Sequence, residues 1–278
     1  MTIRIVADST CDLPQDIVDS HQVTIVPLYI NFGNDSYLDR VEITREEFYT
    51  RLPDSNPLPT TATPGPERFR RVYEDLAAQG ADEVLSIHIS PSLSTTINAA
   101  EIGARQTESI PVTVFDSTQL SLGAGFLVET AAKAAEAGAS MIEIIEKLRD
   151  QAKRTYVFAA LETLEFLRRS GRMNGVIATL GSWLQMKPIL TMNQGNPGAD
   201  RVRTMKAALK RVVEMVEEVA PIERVGMVHT HAREQAEKLR EMASDLLPEG
   251  PIPSVDITPV FGVHLGPGAI GFACISEE

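Results

Sequence analysis

The stretch IRIVADST, residues 3–10, is a short run of branched apolar residues that ends in an acid and two hydroxyl residues. Similar runs follow as LSIHIS at 85–90 and VTVFDST at 112–118, with stretches of helical periodicity between them. Short β-branched runs that alternate with helical segments are typical of strand–helix–strand units, whose strands pair in parallel. The first half of the chain is therefore predicted to be an α/β domain with a doubly wound, mostly parallel sheet.

The pattern changes after the helical stretch at 141–154. Strand-like segments at 155–161 and 187–193 are joined by fewer helices, and two further strand-like segments close the chain. This pattern favours a mixed sheet with helices on one face. We therefore predict two domains, an N-terminal α/β domain over 1–154 and a C-terminal mixed-sheet α/β domain over 155–278.

Two segments of the first half are less regular. VTIVPLYINF, residues 23–32, is predicted to be a single strand. Residues 52–66 contain five prolines. Because proline removes a backbone donor and fixes φ, this segment is predicted to be a loop that holds no regular structure for long.

The composition excludes several classes of partner. The chain has 278 residues, 43% of them hydrophobic and 23% charged, which is usual for a globular protein with a sizeable core. Its formal net charge of −12 disfavours nucleic acid and anionic membrane surfaces as partners. Cys11 and Cys274 lack metal-ligand spacing, and no apolar run reaches the roughly 18 residues that a membrane span needs. We expect a reduced, cytoplasmic protein without stable membrane insertion.

Near the end of the chain, GPGAIG at 266–271 matches the G-x-G-x-x-G pattern that binds a dinucleotide pyrophosphate. That motif needs a helix after the glycines and an acidic residue about 20 positions later. Only seven residues follow Gly271, and their apolar start suits a last strand, so a dinucleotide site is not expected. We expect instead that Gly266, Gly268 and Gly271 form a wall without side chains beside His264, which would donate to an anion.

Hydroxyl residues cluster where three predicted strands end, at 8–10, 90–96 and 116–118, and a fourth cluster lies at 60–63. In an open parallel sheet, the carboxyl ends of the strands form the crevice where ligands bind. Ser, Thr and Asp are also preferred helix caps and turn residues, which explains each of them singly. Together, neutral donors around one mouth suit a carboxylate or small anion better than a polyphosphate, which usually needs a lysine and a phosphate-binding loop.

Seven short motifs, in this order, make nearly the whole chain similar to the DegV family. They are Asp8-Ser-Thr-Cys-Asp-Leu-Pro14, Thr61-Ala-Thr-Pro64 before Phe69, Leu93-Ser-Thr-Thr96, Asp116-Ser117 before Gly123-Ala-Gly125, Leu167-Arg-Arg-Ser-Gly-Arg172, Lys187-Pro-Ile-Leu190 and His264-Leu-Gly-Pro-Gly-Ala269. The resemblance implies a bacterial carrier that binds a long-chain, palmitate-like fatty acid. The carrier would present the carboxylate to a separate ATP-dependent fatty acid kinase for phospholipid synthesis. It would have no cofactor and no complete active site of its own.

The resemblance also implies roles for individual residues. The hydroxyls of Thr61 and Ser94 would hold the carboxylate together with His264. Arg172 would lie at the open end, near the transferring phosphoryl group. Arg203 would face the kinase, because a basic residue on an acidic protein is a natural contact for an acidic partner surface.

This sequence departs from the family pattern near the predicted head-group site. Ala62 and Thr63 stand where the family has Ser-Gln, and Thr95 stands where it has glycine after Ser94. A Cβ at Thr95 narrows the approach to the carboxylate or shifts Ser94. We therefore expect these positions to influence affinity and acyl preference.

Burial of the acyl chain is expected to dominate affinity. At about 0.8 kcal/mol per methylene, roughly 15 methylenes supply about 12 kcal/mol before the costs of association, whereas each hydrogen bond to the carboxylate adds about 1.5 to 3 kcal/mol. The apolar tunnel is expected between the two domains. For each residue that could line it, packing in the protein core is an equally good explanation. The candidates are Val176, Ile177, Leu180, Trp183, Leu184, Met186, Ile189, Leu190, Met192 and Met205.

Other functions stay open at this stage. Ser94 and His264 would be nucleophile and base in a serine hydrolase or acyltransferase, although the G-x-S-x-G elbow is missing. A phosphotransferase would need a nucleotide site, and the sequence has neither a Walker lysine nor a kinase glycine loop. A histidine satisfied by backbone groups is the plain alternative for His264. His229 and His231 alternate as metal ligands often do, but no carboxylate lies near them in sequence, so no metal site is expected.

Overall fold

The computed structural model describes residues 2–173 and 186–277. Within them the strands are β1 Ile3–Asp8, β2 Thr24–Val26, β3 Tyr29–Phe32, β4 Asp35–Leu38, β5 Thr60–Ala62, β6 Glu83–His88, β7 Val112–Asp116, β8 Thr155–Ala160, β9 Lys187–Asn193, β10 Asn196–Val202, β11 Ile222–His229, β12 Ser254–Asp256 and β13 Ile270–Ser276. The helices are α1 Gln15–Ser20, α2 Arg45–Arg51, α3 Pro66–Ala78, α4 Thr96–Arg105, α5 Ser121–Glu136, α6 Met141–Lys153, α7 Glu165–Arg169, α8 Met205–Glu218, α9 Arg233–Met242 and α10 Pro259–Leu265.

The first sheet has the strand order β2-β1-β6-β7, and all its pairings are parallel. Successive residues of a strand point to opposite sides, so each strand supplies apolar side chains to both faces. Ile5 and Leu85 lie in a buried cluster with residues of α5 and α6. Val6 and Val84 lie in another cluster with residues of α3 and α4. The predicted doubly wound parallel sheet is therefore confirmed.

The second sheet has six strands in the order β10-β9-β8-β13-β11-β12. Its pairings are antiparallel except for the parallel pair β11 and β12, which confirms the predicted mixed sheet. Val212 of α8 and Leu239 of α9 cover one face. The other face packs against Leu122 and Phe126 of α5, so α5 contacts both sheets. The segment after the glycine motif forms the central strand β13, as expected, rather than a helix.

A third sheet, with strand order β4-β3-β5 and antiparallel pairing, was not predicted. The prediction of one strand over 23–32 is wrong, because the segment divides at Pro27 into β2 of the parallel sheet and β3 of the small sheet. Proline has no N–H for a sheet ladder and interrupts the pairing. Ile30 of this sheet packs in one cluster with Phe48 of α2 and Val263 of α10. The small sheet therefore carries β5, three residues of the proline-rich loop, to the C-terminal half.

The predicted boundary at Arg154 falls between α6 and β8. Strands β1 to β7 precede it and β8 to β13 follow it, so neither large sheet mixes strands from the two sides. The division into two domains stays a prediction, since α5 packs on both sheets. In residues 2–173 and 186–277, we find no helix with the length and apolar character to cross a membrane.

Candidate functional site

A cavity of about 400 Å³ lies where the carboxyl ends of β1 and β6 meet β5, β8, β9 and α10. Small-molecule sites typically have volumes of about 300 to 1,000 Å³. Its apolar lining residues come from both halves of the chain and include Leu28, Ile89, Leu93, Leu120, Val157, Leu167, Leu190, Met192, Val260, Phe261 and Leu265. Its polar lining side chains are Thr10, Thr61, Thr63, Ser92, Ser94, Thr95, Arg172, Thr191 and His264.

Four of the predicted head-group residues line this one cavity. Thr61 lies on β5, Ser94 precedes α4, Arg172 follows α7, and His264 occupies the last turn of α10. Thr61 and His264 are 203 positions apart in sequence, yet Thr61 Oγ1 lies 3.3 Å from His264 Nε2. The tertiary structure thus assembles the set that the family motifs suggested, and the part of each residue in ligand binding stays a prediction.

His264 is a neutral side chain at physiological pH. Burial, assisted by the nearby cation of Arg172, lowers the pKa of His264 to about 4. Its Nε2 faces Thr61, whereas its Nδ1 is buried and has no hydrogen-bond partner within residues 2–173 and 186–277. A buried polar atom without a partner costs about 1 to 3 kcal/mol. A ligand oxygen that accepts an N–H from this ring would remove that cost.

Ser94 belongs to a short chain of hydroxyls at the start of α4. Its Oγ accepts a hydrogen bond from the Thr96 N–H at 3.3 Å and lies 2.8 Å from Thr96 Oγ1. Thr96 Oγ1 in turn lies 3.4 Å from Thr63 Oγ1. When Thr96 donates to Ser94, the Ser94 hydroxyl proton is free to point to a ligand. A role in the turn before α4 and cavity lining, which were alternatives from sequence, therefore coincide in this residue.

Not all the hydroxyl clusters reach the cavity. Thr10, Ser92 and Thr61 line it, so the clusters at three of the predicted positions share one mouth. In the remaining cluster, at 116–118, the hydroxyl of Ser117 is buried and donates to the carbonyl of His88 at 2.7 Å. That cluster holds the adjacent strand end in place instead of lining the described part of the cavity.

Arg203 and all three predicted glycines, Gly266, Gly268 and Gly271, lie outside the described cavity lining. Arg203 is exposed in the turn between β10 and α8. It is five residues from Gly198, which does line the cavity, a span of roughly 16 Å along an extended strand. This position is compatible with a contact to another protein, and that role of Arg203 stays a prediction.

The predicted wall of glycines beside His264 is wrong. A Cβ at Gly266 would meet the ring of Phe166, and one at Gly268 would lie 2.9 Å from the Cγ of Glu162. Both glycines have positive φ, +70° and +87°, which favours residues without a Cβ. They turn the chain from α10 into β13 and allow close packing on the neighbouring residues.

The apolar lining differs from the expected set. Leu190 and Met192 of β9 line the cavity, whereas Ile189 and Met205 pack with the cluster on the opposite face of the six-stranded sheet. Met186 does not belong to the described lining. The candidates Val176, Ile177, Leu180, Trp183 and Leu184 lie outside the described residues. Residues of the first half contribute much of the apolar surface, which the sequence patterns did not indicate.

A buried chain of hydrogen bonds beside the cavity was missed from sequence. Tyr73 Oη donates to Ser86 Oγ at 2.9 Å, and Ser86 Oγ lies 2.7 Å from His88 Nε2. His88 Nδ1 lies 3.0 Å from Asp8 Oδ2. The order serine, histidine, aspartate resembles that of a hydrolase triad. However, all three residues are almost fully buried and Ser86 does not line the cavity, so a substrate has no access to it.

Asp8 uses this chain to fix the strand ends at the cavity. Its carboxylate accepts hydrogen bonds from the Thr10 hydroxyl, from the Thr10 N–H at 3.0 Å and from the Ile89 N–H at 3.1 Å. Burial alone would raise the pKa of Asp8, but hydrogen bonds from His88 and Thr10 hold it below the usual value for aspartate. Asp8 thus joins the ends of β1 and β6, and both Thr10 and Ile89 line the cavity.

The geometry does not support Ser94 and His264 as a catalytic pair. Ser94 is hydrogen bonded to Thr96, and His264 faces Thr61. In the part of the chain that the structure describes, no carboxylate is hydrogen bonded to the other ring nitrogen of His264 to orient it as a base. The hydrolase or acyltransferase alternative therefore lacks the nucleophile–base contact that it requires.

His229 and His231 lie closer to a carboxylate than the sequence suggested. Asp256 at the end of β12 lies 3.6 Å from His229 Nδ1 and 3.9 Å from His231 Nδ1. Across the described parts of the chain, no group of three or more His, Cys, Asp or Glu side chains is arranged to hold a metal ion.

Sequence comparison relates the chain to proteins of similar length. Residues 2–277 match the model of the DegV family, described as an uncharacterised protein family. Protein DegV of Bacillus subtilis is 33% identical over 277 residues, which cover 98% of each chain. A DegV domain-containing protein of Deinococcus radiodurans is 35% identical over 278 residues, again 98% of each chain.

Solved structures share the whole fold. A DegV family protein from Thermus thermophilus, described as fatty acid binding, has a TM-score of 0.90 at 35% identity and matches 99% of this chain and 100% of its own. Bacillus subtilis DegV, described as a fatty acid binding protein, has a TM-score of 0.89 at 30% identity, with 99% and 100% covered. A stearic-acid-binding protein from Eubacterium ventriosum has a TM-score of 0.88 at 26% identity, with 99% and 98% covered.

Proposed function

This chain belongs to the DegV family, and we propose that it binds a long-chain fatty acid in the cavity lined by Thr61, Ser94 and His264. The observation that carries the proposal is the placement of His264 in a largely apolar cavity, where its Nε2 lies beside the Thr61 hydroxyl and its buried Nδ1 has no hydrogen-bond partner among the described residues. A carboxylate on an apolar chain complements both features. Three relatives of known structure are described as binding fatty acids, one of them stearic acid.

The head group is held by neutral donors and one cation. His264 is uncharged at neutral pH because its pKa is lowered to about 4, so it contributes an N–H and no charge. Thr61 and Ser94 contribute hydroxyl donors. Arg172 is the charged residue of the described lining and is itself exposed, so it meets the carboxylate charge from the solvent side. This arrangement favours an anionic head group whose charge stays near the opening.

The acyl chain supplies most of the affinity. A palmitate-like chain with roughly 15 methylenes gains about 12 kcal/mol from leaving water, before the costs of association. Leu93, Met192 and Phe261 are among the side chains that would contact it. Methionine adapts to a flexible chain because its thioether side chain is unbranched. The ligand thus lies between elements of the two halves, and no cofactor is required.

The bound carboxylate is presented to a separate ATP-dependent fatty acid kinase, which converts it to an acyl phosphate for phospholipid synthesis in the cytoplasm. Arg172, at the cavity, would stabilise negative charge as the phosphoryl group arrives. Arg203, exposed and outside the described lining, would contact the kinase. Its location supports a division of labour in which ligand binding and partner binding use different residues.

Direct measurement of the bound lipid tests this function. We expect freshly purified protein to release a long-chain fatty acid in stoichiometric amount when it is denatured and extracted. Added fatty acid should raise the thermal midpoint of the delipidated protein, because a ligand that binds the native state alone stabilises it. Recovery of no lipid, together with an unchanged midpoint, would refute the carrier function.

A further inference from the structure

Thr258, at the start of α10, joins three parts of the fold. Its N–H donates to Asp12 Oδ1 at 2.8 Å, at the turn after β1. Its hydroxyl donates to Asp39 Oδ2 at 2.5 Å, in the residue that follows β4 of the small sheet. The same hydroxyl accepts the Val260 N–H at 3.2 Å and so caps the helix. Thr258, Asp12 and Asp39 are all fully buried.

Helix α10 is attached to the small sheet at both ends. At its start, Thr258 donates to Asp39 beside β4, and in its last turn His264 faces Thr61 on β5. The two attachments are six residues apart, about 9 Å along a helix. Over this length a helix acts as a rigid rod. The contact at Thr258 therefore sets where His264 lies relative to Thr61.

The middle of α10 leaves little freedom for a different placement. A Cβ at Gly262 would lie 2.5 Å from Phe48 Cε1 and 2.8 Å from Tyr49 Oη, so the helix backbone rests directly on α2. Tyr49 also donates a hydrogen bond to the Ile257 carbonyl, one residue before Thr258. Asp12 is in turn held by Arg45 of the same helix α2 at 2.9 Å. The start of α10 is thus fixed by polar contacts and its centre by close packing.

We propose that Thr258 and Asp39 are positioning residues that hold His264 against Thr61 in the geometry that receives the ligand carboxylate. The inference rests on the proposed fatty-acid function for its meaning. Neither residue belongs to the described lining of the cavity, so neither contacts the ligand there. Their effect passes through α10 and should appear in recognition of the head group and not of the acyl chain.

Affinities for palmitate and its methyl ester separate these two contributions. The ratio of the two dissociation constants measures recognition of the carboxylate, because both ligands carry the same acyl chain. We expect Thr258→Val to reduce the preference for the acid at least tenfold while the affinity for the ester changes less than twofold. Thr258→Ser, which keeps the hydroxyl, should retain the preference. If Thr258→Val does not fold, Asp39→Ala takes its place with the same expectation.

A matched control distinguishes positioning from general loss of stability. Thr204 caps α8, because its hydroxyl oxygen accepts a hydrogen bond from the Ala207 N–H at 3.1 Å. It does not line the described cavity. Thr204→Val should lower the thermal midpoint, as loss of a cap does, and leave the acid-to-ester ratio unchanged. An equal change of the ratio in both cap variants would overturn the proposal.

A double-mutant cycle shows whether the effect passes through His264. In a His264→Ala background, Thr258→Val should reduce the acid preference no further, since residues that act through one group are not additive. In ligand-free Thr258→Val, the pKa of His264, followed by NMR titration, should rise from about 4 toward 6.5 as the ring gains solvent. Additive effects, or an unchanged His264 titration, would overturn the proposal. If the wild-type protein itself does not prefer the acid, the proposed function fails instead.

Discussion

Replacing His264 by leucine should stabilise the ligand-free protein increasingly as the pH falls. Burial and the cation of Arg172 lower the pKa of His264 from 6.5 to about 4 in the folded protein. Between these two pH values the unfolded chain binds a proton that the folded chain does not. The contribution of His264 to wild-type stability is therefore fully present above pH 6.5 and is lost as the pH falls toward 4.

The size of this effect follows from the two pKa values. The wild-type protein should lose about 1 kcal/mol at pH 6 and about 2 kcal/mol at pH 5 through His264, with a limit of about 3 kcal/mol below pH 4. His264→Leu removes the ionisable group and hence this loss. It also removes the buried Nδ1, which has no partner among the described residues, so the variant should be no less stable than wild type at pH 7.5.

Urea unfolding of both delipidated proteins at pH 7.5, 6 and 5 measures the difference, because the other titrating groups cancel on subtraction. The same variant should bind palmitate roughly 10- to 150-fold more weakly, the equivalent of one lost hydrogen bond to a charged group. Stability and affinity should thus change in opposite directions. A stability difference that stays constant between pH 7.5 and 5 would refute the assignment of a buried, neutral histidine.

Four further predictions concern single residues. Ser94→Ala should weaken palmitate binding by about 1 to 3 kcal/mol in calorimetric titration, with little effect on binding of the methyl ester. Equal losses of affinity for both ligands would show that Ser94 does not bind the carboxylate. Arg203→Ala should leave palmitate affinity within twofold and slow acyl-phosphate formation in a coupled assay with the kinase, and a loss of affinity as large as that of Ser94→Ala would contradict this. Burial raises the pKa of Asp12 to about 6, so the stability that its protonated form contributes is present below pH 3.8 and is lost as the pH rises through 6. The urea stability of Asp12→Asn relative to wild type should therefore increase by about 2 kcal/mol from pH 4 to pH 7, and a pH-independent difference would refute the raised pKa. Gly262→Ala should lower the free energy of unfolding by about 1 to 3 kcal/mol, because its Cβ would overlap the ring of Phe48. An unchanged urea midpoint would contradict this and show that α2 moves to accept the methyl group without loss of stability.

The sequence by itself determined the local elements and much of the chemistry. The β-branched run at 3–8 and its repeats fixed the parallel strands, because alternation and composition are local properties of a chain. Family motifs singled out Thr61, Ser94 and His264 without any knowledge of where they meet.

Only the tertiary structure decided which of these residues share a site. The small sheet arises from a break at Pro27, and its pairing with β5 brings Thr61 to His264 from 203 positions away. No local sequence pattern encodes such a pairing, since it depends on which distant strands lie next to each other in the fold.

The same limit explains the errors and the omissions. Gly266 and Gly268 carry a spacing that suggests a ligand, but their positive φ and their neighbours give them a turn and a packing role. Asp8 and His88 stand at the ends of predicted strands, and no motif marks Thr258. Their importance comes from burial, because a polar contact is more costly to lose when it is buried. Burial likewise lowers the pKa of His264. The burial of a residue is decided by the assembled fold alone.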